Sequence, residues 1–260
     1  MEFLSDVVAR VRRDLERDPP DEPALMARAI SMPPSRDFSG ALKSERPAVI
    51  AEIERSSPWS GPAGDLDPRT LARAFEAAGA AALSVVTEGR HFDGTLSDLR
   101  AAHLSTRLPV LRHDFLVHPA QVMESRAHGA DAVLLIAAAL PGEELGAMVR
   151  ATLDLGMAAL AEAHSERELE RVLATEAEMV CINARDLESL ALDEELALEL
   201  IRRTSGDRAV VFAGAVSRRD QVEQATRAGA SGVVVGEAAL RARNPAAKIR
   251  QLRGELAVVD

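Results

Sequence analysis

From residue 47 onward, short apolar runs alternate with stretches whose apolar positions recur every three or four residues. The runs fall at 48–53, 82–87, 109–113, 132–137, 157–162, 179–183, 209–213 and 232–236. Each has the length of a strand, and each gap predicts an amphipathic helix. Their cores are continuous rather than alternating, as in Ala132-Val-Leu-Leu-Ile136 and Gly232-Val-Val-Val235, the pattern of parallel strands buried on both faces. Three joints repeat: Ala78-Gly-Ala-Ala-Ala-Leu-Ser-Val85, His128-Gly-Ala-Asp-Ala-Val-Leu-Leu135 and Ala228-Gly-Ala-Ser-Gly-Val-Val-Val235. In each, a helix ends on a glycine suited to a left-handed C-cap and runs straight into a strand. Eight such units predict an α/β fold, a (β/α)8 TIM barrel, for which about 250 residues is the usual size. Residues 1–260 read as one domain, with 47–260 as the barrel and 1–46 as a helical N-terminal extension.

In that extension, Phe3, Leu4, Val7, Val8, Val11 and Leu15 form a helical stripe over residues 2–17. Asp18-Pro-Pro-Asp-Glu-Pro23 breaks it, a short helix follows over 24–30, and Met32 to Phe38 forms a second break. A prologue of this kind is expected to cap or cover part of the barrel.

Composition narrows the function classes. A net charge of −10 argues against a nucleic-acid or membrane binder, which would present a basic face, so small molecules are the expected partners. One cysteine, Cys181, lies within the apolar run Met179-Val-Cys-Ile182. It excludes an intrachain disulfide, fits a reducing compartment, and reads as a small buried hydrophobe. The first residues have neither a basic segment nor an apolar core, and no run of about 18 apolar residues occurs. The expected location is the cytoplasm.

In such a barrel, chemistry gathers at the C-terminal ends of the strands. The first strand ends in Glu52-Ile-Glu-Arg-Ser-Ser-Pro58. Alternation puts Glu52 and Glu54 on one face, with Ile53 and Arg55 on the other. Two neighbouring carboxylates inside a barrel must find partners or take up protons. Further candidates are Ser57, Thr87, Glu88, His113, Asp114, Glu162, His164, Asn183, Arg185 and Asp186. The seventh and eighth strands end in Phe212-Ala-Gly-Ala-Val216 and Val235-Gly-Glu-Ala-Ala239. Small residues before a helix start suit phosphate held by backbone N–H groups, and equally a close helix–strand approach. Glu54, His113, Glu162 and His164 are also possible metal ligands, although hydrogen-bonded or surface histidines fit the same pattern.

Several of these segments resemble the motifs of the indole-3-glycerol-phosphate synthase family. Pro34-Ser-Arg-Asp-Phe38 resembles its prologue motif, and Val49-Ile-Ala-Glu-Ile-Glu-Arg-Ser-Ser-Pro58 its Ile-Ala-Glu-x-Lys-Arg-x-Ser-Pro. Leu111-Arg-His-Asp-Phe115 resembles Leu-Arg-Lys-Asp-Phe, Cys181-Ile-Asn-Ala-Arg-Asp-Leu187 resembles Gly-Ile-Asn-x-Arg-Asp-Leu, and Val234-Val-Gly-Glu-Ala238 resembles the phosphate-loop motif. The resemblance implies a carbon–carbon lyase of tryptophan-type biosynthesis. Members close the indole ring of a carboxyphenylamino-deoxyribulose phosphate with loss of carbon dioxide and water, without metal or cofactor. It also implies a chain that is a monomer or homodimer. Glu52, Glu162, Asn183 and Arg185 match functional positions, and Ser57 and Gly236 match residues lining the site. Glu54 and His113 would join the catalytic set, and Arg185, Gly214, Ala215, Gly236 and Glu237 would hold substrate and phosphate.

The chain departs from those motifs at defined places. Glu54 and His113 stand where the family has lysines, Ala213-Gly214-Ala215 where it has Glu-Ser-Gly, and Trp59 where it has serine. Only two lysines occur, Lys43 in the prologue and Lys248 in the final helix, so the expected mouth contains none. Three glutamates face a doubly anionic substrate, and at an effective dielectric near 20 a 4 Å charge contact is worth about 4 kcal/mol, less if Glu54 is protonated. A histidine among carboxylates is raised in pKa and stays cationic, so His113 can serve as general acid. Ring closure with altered catalysis, a repurposed barrel enzyme on another substrate, and a non-catalytic binding paralogue all fit these residues.

Overall fold

The structure, a computed structural model, describes residues 3–44, 47–204, 208–214 and 216–255. Eight parallel strands close into a barrel in which each pairs with its neighbours in sequence and the last returns to the first. They are β1 (Ala48–Ile53), β2 (Ala82–Val86), β3 (Val110–His113), β4 (Ala132–Ile136), β5 (Ala158–Ala163), β6 (Met179–Asn183), β7 (Ala209–Ala213) and β8 (Gly232–Val235). Each lies within a residue of an expected run. All are buried along nearly their whole length, because helices cover the outside and side chains fill the inside. At the three repeated joints, Gly79, Gly129 and Gly229 have φ values of +78°, +95° and +118°. Each helix therefore ends in the left-handed turn that its glycine was expected to supply.

The extension contains three helices, α1 (Phe3–Arg17), α2 (Glu22–Ser31) and α3 (Phe38–Ser44). The sequence reading treats Phe38 as the end of a break and contains no α3. Gly and Ser within Phe-Ser-Gly-Ala-Leu-Lys-Ser weaken its helical signature, but Asp37 Oδ1 accepts the Gly40 N–H at 2.7 Å and Phe38 and Leu42 are buried. Capping and tertiary packing supply what propensity does not.

The extension runs from one end of the barrel to the other. Across the C-terminal mouth, α1 donates from Leu4 N to Leu187 O (3.2 Å), from Ser5 N to Glu188 (3.1 Å) and from Arg10 to Glu88 (2.6 Å). Phe3 packs edge-on against Phe115 and His91. Near the opposite end, Arg36 N donates to Asp131 Oδ1 (2.9 Å), and Asp131 Oδ2 accepts from Val110 N (2.9 Å) at the entry to β3. Through these contacts α1 roofs the loops in which the candidate chemistry resides.

Candidate active site

Inside the mouth lies a cavity of about 400 Å³. Barrel alternation decides which side chains reach it. Glu52 and Glu54 from β1, Ser84 and Val86 from β2, Leu111 and His113 from β3, and Cys181 and Asn183 from β6 all face inward. Glu162 from β5 and Gly236 after β8 complete the polar ring, over a floor that includes Ile50, Leu134, Leu160 and Val234. Intervening residues point outward. Arg55 forms a two-pronged ion pair with Asp98 (2.9 and 2.7 Å), as its place opposite Glu54 requires.

The same parity removes several candidates from the site. Thr87 and Asp114 join Arg112 outside the barrel wall: Arg112 donates to Thr87 Oγ1 and Asp114 Oδ2, both at 2.9 Å, and the Thr87 hydroxyl donates to Asp114 (2.5 Å). Glu88 anchors Arg10 and accepts the His91 and Phe92 N–H groups. Asp186 accepts the N–H groups of Glu188 and Ser189 in its turn. All three sets hold loops in place. Ser57 is buried behind the pocket wall, with its hydroxyl 2.5 Å from that of Ser60. Ala215 lies outside the described residues.

Two carboxylate–imidazole pairs organise the cavity. Glu52 Oε2 accepts from His113 Nδ1 (2.7 Å) and from Ser84 Oγ (2.8 Å), so His113 presents Nε2 to the pocket. Burial works to raise the Glu52 carboxyl, but the His113 charge and hydrogen bond, with Ser84, hold it below the usual carboxylate value. Burial likewise opposes charge on His113, yet Glu52, assisted by Glu162 and Glu54, pushes it up to about 9. On the other side, Glu162 Oε1 lies 3.1 Å from His164 Nε2, and Cys181 Sγ lies 3.5 Å from Glu162 Oε2. Glu162 is held below its ordinary value despite burial, chiefly by His164 and then by His113 and Asn183. Burial and its Glu162 neighbour raise the Cys181 thiol well above its usual value, so Cys181 stays protonated, consistent with its reading as a small buried group.

Among the described residues, no cation forms an ion pair with Glu54. Burial, then the Glu52 charge, push its carboxyl up to about 8, with His113 and Ser57 offsetting only part. It is therefore a neutral acid at pH 7. Of the three glutamates in the mouth, two are matched by imidazolium ions and Glu54 is held protonated, the case in which the charge penalty shrinks. At the rim, Glu237 pairs with Arg241 (3.2 Å), and among the described residues no carboxylate forms an ion pair with Arg185, although Glu237 acts on its charge. Its guanidinium stacks 4.4 Å from the Trp59 ring centroid and donates to Leu190 O (2.9 Å), and Trp59 in turn meets Phe92 edge-on at 5.6 Å. Among the described residues, no group of three or more His, Cys, Asp or Glu side chains is arranged to hold a metal ion.

Gly214 and Gly236 both line the cavity. A Cβ on Gly236 would lie 2.9 Å from Glu52 Oε1, so this position admits no side chain while Glu52 keeps its place. Gly236→Ala is expected to shift Glu52 by a fraction of an ångström, lowering turnover by about tenfold with little change in melting temperature. Parallel kinetics and thermal melts test it, and a fall in Tm without loss of turnover would show that the glycine serves packing alone.

These features define a (β/α)8-barrel protein with paired acid and base groups at its C-terminal mouth. The sequence model of the family described as indole-3-glycerol phosphate synthase matches residues 4–252, and the chain belongs to that family. It is 41% identical to the indole-3-glycerol phosphate synthase of Nocardioides sp. over 257 residues, covering 98% of this chain and 99% of that one. It is 43% identical to that of Parafrankia sp. over 250 residues, covering 94% and 92%. Among solved structures, thiamine phosphate pyrophosphorylase from Pyrococcus furiosus superposes with a TM-score of 0.59 at 17% identity, over 82% of this chain and 96% of that one. Orotidine 5'-phosphate decarboxylase from Pyrococcus horikoshii does so with 0.60 at 14%, over 81% and 100%. At those identities the likeness is one of fold. In the described residues, no helix is long and apolar enough to cross a membrane.

Sequence reasoning placed the inward-facing polar residues and missed those that hold them. Ser84 sits opposite Glu52 in the β1–β2 register, and Cys181 opposite Glu162 in the β5–β6 register. Neither pairing is readable before the barrel's stagger is known. Arg241, reaching the rim from beyond β8, had no motif to mark it. Glu168 was findable: His164 and Glu168 stand four apart across the start of a helix, and the side chains meet at 3.0 Å.

Proposed function

We propose that the chain is a carbon–carbon lyase of the indole-3-glycerol phosphate synthase type, closing the indole ring of a carboxyphenylamino-deoxyribulose phosphate with an imidazolium where the family uses a lysine. The observation that carries this reading is the 2.7 Å contact between His113 and Glu52, which keeps a cation at the end of β3, facing the cavity. In the first step the ring carbon bearing the carboxylate bonds to the carbonyl carbon, and His113 Nε2–H gives its proton to the carbonyl oxygen. The ring then loses carbon dioxide, and the electron pair of the broken bond restores its aromaticity. In the second step the new hydroxyl leaves as water, which requires a proton donor at that oxygen and a base for the proton released as the indole double bond forms. His113 is placed to donate in the first step and Glu54, the neutral acid, in the second, while Glu52 holds His113 charged and oriented and Glu162 is placed to accept.

Binding follows from the same ring. Asn183 Oδ1 accepts the Arg185 N–H (3.0 Å), which leaves its amide N–H2 for substrate or for Glu162. Phe92, Phe115, Leu187 and Trp59 offer an apolar wall to the aryl group. The substrate's anionic groups meet Arg185, with the Gly214 and Gly236 loops and Arg241 beside it on the phosphate side. Ser57 supports Glu54 from behind. Compared with a lysine site, the imidazolium is a weaker electrostatic partner and titrates nearer neutrality. Reduced turnover that falls from about pH 8 as Glu54 loses its proton, and further through about pH 9 as His113 does, is the expected form of altered catalysis.

The test is to incubate purified protein with the carboxyphenylamino-deoxyribulose phosphate and follow indole fluorescence, with the decarboxylated product identified by mass. Turnover that disappears in His113→Gln supports the reading. No product from the wild type, with saturable binding of the substrate, would instead make the chain a binding paralogue.

A further inference from the structure

The two imidazole pairs face opposite ways. In one, the imidazole of His113 is turned to the cavity. In the other, the carboxylate of Glu162 lines the cavity and His164 stands behind it, with only 5% of its side chain exposed. His164 is held from both sides: Nε2 lies 3.1 Å from Glu162 Oε1 and Nδ1 lies 3.0 Å from Glu168 Oε2. Glu162 Oε1 and His164 Nε2 meet as an ion pair by distance, not as an aligned hydrogen bond, and among the described residues neither atom has a hydrogen-bond partner. Glu168 is itself fixed, accepting the His164 N–H (2.9 Å) and the Ser165 hydroxyl (3.0 Å). Ionised carboxylates only accept, so an imidazole held between two of them carries protons on both nitrogens. The charged groups around it are Glu162 on β5, Glu168 on the following helix, and Asp186 beyond β6, whose carboxyl is lowered in part by the His164 charge. No step of the proposed reaction uses His164 or Glu168 directly.

We propose that His164 is a positioning residue, a buried imidazolium clamped by Glu168 that fixes the Glu162 carboxylate and keeps it ionised, committing Glu162 to the role of proton acceptor opposite the donor His113. The pair behind β5 thus makes one pole of the cavity basic, as the pair at β3 makes the other acidic, because environments that push two titrating groups apart assign their roles. Burial opposes the His164 charge, but its two carboxylates outweigh that and raise it to about 10, in keeping with the geometry. The role assigned to Glu162 rests on the ring-closing reaction, whereas the doubly protonated clamp does not.

Two measurements separate them. Histidine-selective 15N NMR of the ligand-free full chain, with the His164 signal assigned by its loss in His164→Gln, is expected to show both ring nitrogens protonated at pH 8. A neutral tautomer there would overturn the clamp, whatever the enzyme turns over. In steady-state kinetics, His164→Gln, which retains one N–H donor but no charge, is expected to lower kcat by about tenfold or more, with KM changed less. The acid limb of its kcat profile should move up by about one to three pH units as Glu162 loses its cation. Glu168→Gln should move the limb in the same direction by less. A folded His164→Gln with an unshifted limb, or one that loses thermal stability without loss of kcat, would reduce His164 to a packing residue. Were the wild type to turn over no substrate, the synthase reading would fail and the NMR measurement would still decide the clamp.

Discussion

His113→Ala is expected to lower kcat/KM for ring closure by about two to four orders of magnitude, the usual contribution of a positioned general acid. The side chain supplies the proton for the carbonyl oxygen and also partners a carboxylate that is 8% exposed. Without it Glu52 keeps only the Ser84 hydroxyl, and an unpaired buried carboxylate takes up a proton instead. The variant thus loses the acid and also leaves Glu52 without its cation. His113→Lys restores a cation at the same strand end and is expected to recover more activity than His113→Gln. Equal activity in the two would show that a neutral donor suffices. Stability provides a second readout. The folded pKa of His113 is raised from 6.5 to about 9, so its contribution is complete below pH 6.5 and is lost as pH rises through 9. It is up to about 3 kcal/mol, and melting curves of wild type and variant should converge across that interval. A gap that stays constant from pH 6 to 9 would contradict the ion pair.

How far the site could be read from sequence depended on parity. Along β1 the alternation was unambiguous: Glu52 and Glu54 went in, Arg55 went out to Asp98. Parity also explains the candidates that left the site. With Ser84 and Val86 facing inward, Thr87 lies on the outward face, and Arg112 and Asp114 follow for the same reason beside the inward Leu111 and His113. A residue's place after a strand is weaker information than its odd or even step along it. Nothing in one dimension sets the stagger between strands, so the pairing of Glu52 with Ser84 and His113, and of Glu162 with Cys181, emerged only from the closed barrel. The signs of the charges were the largest gap. Carboxylates and histidines are visible in one dimension but their contacts are not, and contact decides that Glu52 and Glu162 are matched while Glu54 is not.

Glu54→Gln is expected to remove the share of the pH dependence of stability between pH 5 and 8 that arises from Glu54, which below pH 6.5 is not shared with His113 or His164. A carboxyl raised from 4.5 to about 8 in the folded chain binds a proton there that the unfolded chain has released. Its contribution is present below pH 4.5 and is lost as pH rises through 8. The size is on the order of 3 to 5 kcal/mol, since each pH unit between the unfolded and folded values is worth about 1.4 kcal/mol and Glu54 is only 8% exposed. Glutamine fills the same volume and never ionises, so the variant should match the wild type near pH 5 and melt about 6 °C or more above it at pH 9. A constant difference across this range would mean that Glu54 ionises freely. The same substitution separates charge from hydrogen bonding in substrate recognition. Ionised Glu54 repels an anionic substrate, so the wild-type KM should climb above pH 8 while that of Glu54→Gln should not climb on this account. With Glu54 protonated at pH 7, this residue adds no negative charge to the mouth. In the proposed reaction, Arg185, which forms no ion pair among the described residues, is the cation placed to meet the substrate's anion.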